Sequence, residues 1–417
     1  MNEKMIQSIE EKKEDLFQKL SALIKIDSQN FGSYGKEKEI AEYLASVFAE
    51  LGYASSVYSP IEVEGLLEHV DYYAGRSLED RRNMSVLIPG IDHKKTLMIA
   101  AHCDTVPIGA LSTWTASPLG GEIRDGKIWG RGACDDKYGI AAAWFLIALF
   151  KEKGIRLPYD LIFTAYCDEE GGGGNGALAA CLKYPVDDVV NLDCKNLEIW
   201  AGGAGGGCLR ASFVTKEPVD NCECLTDAMM ILREEMSAFR RKRHDELMEH
   251  RLFAESIIPD TAVRFQAEQI GGNLSLNRAT ATICFYTCKT EEEIRTELDE
   301  ITGRIKERLA PLGIVFEGFR LVTRFFRFAQ TAEANPVLDG MVKSIERVTG
   351  TPGKGIGSCL SDLPLFILYG SPRAFCFGAG RDFGEYGGAH QPDEFIECDK
   401  FLEFTETLAD FLLAYGE

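Results

Sequence analysis

Two short apolar runs, residues 97–101 and 161–165, each end in ligating or acidic side chains: His102-Cys103-Asp104 after the first, Asp168-Glu169-Glu170 and four glycines after the second. Between them, the glycine-flanked turn W-G-R-G-A-C-D-D-K-Y-G (129–139) places Asp135 and Asp136 ahead of an apolar stretch, 140–150. Short apolar runs alternating with helix-period segments build a largely parallel α/β layer. In such open sheets, sites collect beyond the carboxyl ends of the strands. Adjacent buried acids repel, so Asp135 and Asp136 require a cation or a proton nearby. The pattern points to a metal centre with Asp135 at its middle.

The remaining segments fit around that layer. Leu16, Phe17, Leu20, Leu23 and Ile24 fall at helical spacing, as do Ile40, Tyr43, Leu44, Val47, Phe48 and Leu51, with Gly52 closing the second segment. Strands are expected over 85–89, 97–101, 161–165 and 189–193. The run A-G-G-A-G-G-G at 201–207 breaks the pattern. Beyond it come a strand (209–214), a long helix, strands at 262–269 and 281–287, a helix at 291–309 and a strand at 314–321. That order, βαββαβ, is a split sandwich. From 326 the α/β pattern resumes, with a helix over 336–349, an apolar strand at 374–377 and a final helix at 400–415. At 417 residues the chain exceeds the size of a single core. The expected fold is α/β, a mostly parallel sheet with helices on both faces. It is built from 1–206 and 326–417 around an inserted α+β domain at 207–325.

A net charge of −20 argues against a nucleic-acid partner. The longest wholly apolar run, 140–150, is too short to span a bilayer, so no membrane partner is expected. The charged, amphipathic start is unlike an export signal, and the thirteen cysteines are scattered. They read as reduced thiols of a cytoplasmic protein. A thiol redox protein is a competing class, but no C-x-x-C occurs; Cys222-x-Cys224 and Cys284–Cys288 are the close pairs.

Each cluster has a bland reading. His102 and Asp104, two apart, share a face if the strand continues, or are a surface pair after it. In Asp168-Glu169-Glu170 one glutamate can bind a metal while its neighbour takes a proton from water, or the run is a charged loop. His390, in G-G-A-H-Q-P-D-E-F-I, is a lone loop histidine, and most of those have no site role. Several clusters, each placed where a strand or turn ends, make independent accidents a poor explanation. Cys103 and Cys194 should point away from any metal, and Cys134 and Cys167 read as small buried hydrophobes rather than ligands.

Together, H-x-D after an apolar strand, G-R-G-A-x-D-D-K-x-G, D-E-E-G-G and the late A-H-x-x-D-E resemble the co-catalytic zinc metallohydrolases. These include aminoacylase, acetylornithine deacetylase, succinyl-diaminopimelate desuccinylase, carboxypeptidase G and related dipeptidases. The resemblance implies a zinc-exopeptidase-like fold and two divalent ions, zinc, with cobalt or manganese as alternatives. It implies His102 and Asp193 on one ion, Glu170 and His390 on the other, and Asp135 bridging. Asp193 is carried over from L-D-C-K-N-L-E-I, which lines up with the family's acid-P-T-x-L-E-I segment. Glu169 would be the general acid/base, Asp104 would orient His102, and the 135–136 peptide would be cis. Asn277, from a G-G-x-x-x-N-like stretch at 271–277, is a candidate substrate contact, as are Gly378 and Gly380. The implied substrate is a small N-acyl amino acid or short peptide with a free carboxylate, and the inserted domain would be lid and homodimer surface. The chain departs from the family at the lid. The stretch T-K-E-P-V-D-N-C-E-C-L-T-D-A (215–228) lacks the usual histidine, leaving His244 and His250 on a charged run, and the usual arginine is replaced near Cys288–Lys289. A non-catalytic metal-binding relative is therefore the rival reading, against which the intact Glu169 stands.

Overall fold

The structure, a computed structural model, describes residues 3–217, 223–271 and 277–415. The chain forms two units, one from Met1–Ala201, Gln330–Gly355 and Leu365–Glu417, the other from Gly202–Ala329 and Ile356–Pro364.

In the first unit the strands Asp160–Tyr166, Thr96–His102, Asp188–Asn191 and Phe375–Phe377 lie side by side and run parallel. Asn83–Ile88 and Ser55–Tyr58 flank them on one edge and Ile199–Gly203 on the other, all antiparallel to their neighbours. Every residue from Leu97 to His102 and from Leu161 to Tyr166 is buried, so both strands read as nearly continuous apolar runs, broken by Thr164, rather than alternating ones. Residues of opposite parity meet opposite layers. Phe163 packs on Phe48 of the helix Lys38–Glu50 (ring centroids 5.8 Å), whereas Tyr166 meets Phe366 (5.4 Å).

The helix Lys137–Glu152 begins three residues before the apolar stretch, because the Lys137 side chain is itself buried. Its amine donates to the carbonyls of Leu23 (3.0 Å) and Ile26 (2.8 Å), capping the end of the helix Lys13–Ile24. The last helix, Cys398–Ala414, buries Phe401, Phe404, Leu408, Phe411 and Leu412 in the same core. It also carries Glu406, half-buried and with one carboxylate oxygen unpaired. Burial first, then the charges of Glu10 and Glu403, push the Glu406 carboxyl up to about 7.

The second unit is an antiparallel sheet in the order Val263–Gly271, Arg278–Thr287, Gly205–Thr215, Ile314–Leu321. Leu209, Ala211 and Phe213 alternate inward and pack with Leu225, Leu232, Ile294 and Ile301 of the helices Glu223–Met248 and Glu291–Leu309. Thr290 and Glu293 close a reciprocal cap at the start of the second helix. Residues 356–364 return to this unit, held by the Arg324–Asp362 ion pair (2.6 Å) and by the Ala204 amide on the Ser358 carbonyl (3.1 Å).

Cys208 and Cys284 face each other across two of these strands, Cα atoms 4.1 Å apart, and are joined as a disulfide. The expectation of thiols throughout fails at this pair. The two are 76 residues apart, and only the strand register brings them together.

Candidate metal centre

Four parallel strands deliver the site from their carboxyl ends, as open sheets do. His102 ends its strand, Asp168-Glu169-Glu170 follow Asp160–Tyr166, Asp193 lies just past Asp188–Asn191, and Gly378 follows Phe375–Phe377. Asp135 and Asp136 sit on the turn before the helix Lys137–Glu152, joined by the expected cis peptide. His390 comes from a later loop, with a left-handed backbone (φ 64°).

These side chains converge. Asp135 directs one carboxylate oxygen to each of two histidines: Oδ1 lies 2.9 Å from His102 Nε2 and Oδ2 lies 3.2 Å from His390 Nε2. His390 Nε2 is also 3.0 Å from a Glu170 carboxylate oxygen. Ligand atoms of His102, Asp135 and Glu170 all lie within 4.8 Å of one another. Glu169 and Asp193 are half-buried, and the charge of each acts on the His102 ring.

Burial opposes protonation of His102, but Asp135 outweighs it and holds the imidazole well above its ordinary pKa. His390 is raised in the same way, by Glu170 and Asp135 against burial. Asp135 is held low: burial raises it, and the two histidines more than reverse that. Burial pushes the neighbouring Asp136 carboxyl well up, while one of its oxygens accepts the His102 amide (3.2 Å). Imidazole and carboxylate donors with no thiolate suit zinc, cobalt or manganese, so the residues present fit a divalent metal. Cys103, Cys134, Cys167 and Cys194 are all buried, and burial raises each thiol well above its ordinary pKa. The Cys194 sulfur points at the Glu198 carbonyl (3.3 Å).

Asp104 meets His102 through its backbone rather than its side chain. His102 Nδ1 lies 2.9 Å from the Asp104 carbonyl oxygen, while the nearest Asp104 carboxylate oxygen is 3.8 Å from that nitrogen. The backbone therefore orients the imidazole. The carboxylate accepts the amides of Glu169 (3.1 Å) and Glu170 (2.9 Å) and the side-chain amide of Asn30 (2.8 Å). Two of these partners are amides of the turn that carries the two glutamates.

Several supporting residues were missed in the sequence. Arg131 binds the Glu394 carboxylate (2.6 Å), which also accepts the Cys134 amide (3.0 Å), tying the central turn to the His390 loop. Both residues lie inside quoted motifs, G-R-G and D-E-F, and that was the available signal. Asn30, Glu37, Arg76 and Arg81 stand behind the acidic turn and carry no motif.

The substrate candidates divide. Gly378 and Gly380 are places of close backbone approach. A Cβ at Gly378 would lie 2.2 Å from the Tyr138 hydroxyl, and one at Gly380 would lie 2.6 Å from the Cys134 carbonyl. Asn277 belongs to the second unit, where its carbonyl accepts the Thr215 amide (3.0 Å). Residues 218–222 and 272–276, within the two lid stretches singled out above, lie outside the described residues. His244 is paired with Asp245 (3.0 Å), and His250 packs against Phe253 and Phe328, where burial lowers its pKa. No helix among the described residues is long and apolar enough to cross a membrane.

An uncharacterized metallohydrolase of Methanocaldococcus jannaschii is 38% identical over 177 residues, 42% of this chain and 40% of that protein. A succinyl-diaminopimelate desuccinylase of Dechloromonas aromatica is 39% identical over 82 residues, 20% of this chain and 22% of the relative. The matches thus span well under half the length of these relatives. Two solved structures share the fold over nearly their whole length. Human carnosine dipeptidase 1 has a TM-score of 0.71 at 16% identity, covering 99% of this chain and 98% of that one. The M20 family metallo-carboxypeptidase Sso-CP2 from Sulfolobus solfataricus has a TM-score of 0.67 at 20% identity, covering 96% and 99%. Residues 98–414 match Peptidase family M20/M25/M40, and with most of its length so matched the chain belongs to that family of metallohydrolases.

Proposed function

We propose that the chain is a dinuclear metal hydrolase that cleaves an amide bond beside a free carboxylate, in an N-acyl amino acid or a short peptide. The observation that carries this is Asp135, which offers one oxygen to each of two histidines drawn from distant parts of the chain. His102 and Asp193 would hold one divalent ion, Glu170 and His390 the other, with Asp135 shared. Bound there, such ions lower the pKa of water toward neutrality and polarise the scissile carbonyl. The Asp104 carbonyl accepts a hydrogen bond from the Nδ1–H of His102, which would leave the Nε2 lone pair directed into the cluster. The Glu169 carboxylate accepts a proton from the attacking water and returns it to the leaving nitrogen. A homodimer formed through the inserted unit belongs to the same proposal.

Support for the substrate class comes from two directions. The local sequence match is to a desuccinylase, and the fold match is to a dipeptidase. A panel of dipeptides and N-acyl amino acids, offered to zinc- and cobalt-loaded protein, decides between them. In parallel, Glu169→Gln keeps the shape and removes the base. Metal content should hold while turnover falls about 10²–10⁴-fold. Metal loss equal to that of Glu170→Gln would show that the two glutamates have been assigned the wrong way round.

A further inference from the structure

Asn30 is 3% exposed and sits beside the chain as it leaves the His102 strand. Its backbone amide donates to the Thr105 carbonyl (2.8 Å), and the Thr105 amide donates to the Ser28 carbonyl (3.1 Å). The side chain uses both ends of its amide. Nδ2 donates to the Asp104 carboxylate (2.8 Å) and to the Glu170 carbonyl (2.7 Å). Oδ1 accepts from Arg81 Nη2 (3.0 Å) and from the Gly32 amide (2.8 Å). Those partners fix which end is which. A flipped amide would set its NH2 against a guanidinium and its carbonyl against a carboxylate. Arg81 is wholly buried and is itself paired with Glu37 and with Asp168 (3.0 Å), the first acid of the turn. Arg76 reaches the same Asp168 carboxylate (2.6 Å).

From this we infer that Asn30 is a positioning residue for the metal-binding glutamate. The turn that carries Glu169 and Glu170 is gripped on both polar faces: its amides by Asp104, its Glu170 carbonyl by Asn30. Asn30 joins the two grips, and Arg81 locks its orientation. Neither Asn30 nor Arg81 belongs to the cluster itself. Their effect passes through the backbone to the Glu170 carboxylate and to the neighbouring base. Few side chains of this size can serve. A serine has one donor, and an aspartate would set a second carboxylate against Asp104. The inference rests on the metal-centre reading above.

The test compares the wild-type chain with Asn30→Asp, which keeps the shape and the Arg81 contact, and with Asn30→Ala, which removes the amide without adding charge. Zinc binding is followed by calorimetry, and the position held by Glu170 is identified with a His390→Ala reference. Loss of an outer partner typically weakens a metal position about 10–100-fold, so that position should weaken by this much while the other stays within about threefold. With the best amide substrate found, kcat should fall while KM changes little. Should Asn30→Asp not fold, Asn30→Ala carries the same comparison. If both variants bind two ions as tightly as wild type with unchanged kcat, the assignment to Asn30 is wrong and the metal centre stands. Equal weakening of both positions together with a lower Tm would make Asn30 a stability residue only, which also overturns it. A wild-type chain that binds no zinc overturns the metal-centre reading and this inference with it.

Discussion

Glu406 gives the sharpest quantitative test of the electrostatics. Replacing it with glutamine keeps the volume and the helix propensity and removes the charge. The carboxyl stands at about 7 in the fold against an ordinary 4.5. Because the folded value is the higher one, the stability linked to it is fully present below about pH 4.5. It is lost as pH rises through about 7. A rise of that size is worth at most ~3 kcal/mol. The side chain is only half-buried, so solvent screening reduces the expected penalty to about 1–2 kcal/mol at pH 8. Glu406→Gln should therefore be the more stable protein at pH 8 by that amount, with the gain shrinking steadily toward pH 5. Urea unfolding of both proteins at pH 5, 6, 7 and 8, with chelator present to remove metal linkage, reads this directly. An equal midpoint at pH 8, or a gain that grows as pH falls, would refute the argument.

Three further outcomes are expected. Replacing Asp135 with alanine should empty both metal positions, whereas His390→Ala should weaken mainly one; elemental analysis after gel filtration counts the ions per chain. Cys103→Ala and Cys194→Ala should leave metal stoichiometry unchanged and cost about 1–2 kcal/mol of stability through the small cavities left behind. A change in stoichiometry from either substitution would make that sulfur part of the site.

Much of this centre was legible in the sequence because the strands that deliver it are buried on both faces. Their apolar runs are nearly continuous and their ends stand out, which is why His102 and the run Asp168-Glu169-Glu170 draw attention in the sequence, whereas Asp193 is reached only through the family resemblance. Asp104 meets the His102 ring through its carbonyl rather than its carboxylate, for a physical reason. The strand ends at His102, so the rule that residues two apart share a face no longer applies at position 104. Asn30, Glu37 and Arg81 were invisible because single polar residues in polar segments carry no period. Asn30 meets Glu170 across 140 residues of chain, and nothing local records the meeting. The Cys208–Cys284 bond was hidden in the same way, by strand register.

Gly378 and Gly380 bear on how such an enzyme can diversify. The backbone there approaches the Leu192, Cys194 and Cys134 carbonyls so closely that even a methyl group would collide, at 2.4 Å from Leu192 at one position and 2.8 Å from Cys194 at the other. That stretch of backbone leaves no room for alternative side chains, and a mutational library that randomises it will return mostly unfolded chains. Phe383 differs: it packs on the His390 ring (centroids 4.8 Å) yet is 38% exposed, so its neighbourhood tolerates exchange. Variation, in nature or in a flask, has freedom at positions of that kind, while the glycine-packed backbone stays constant.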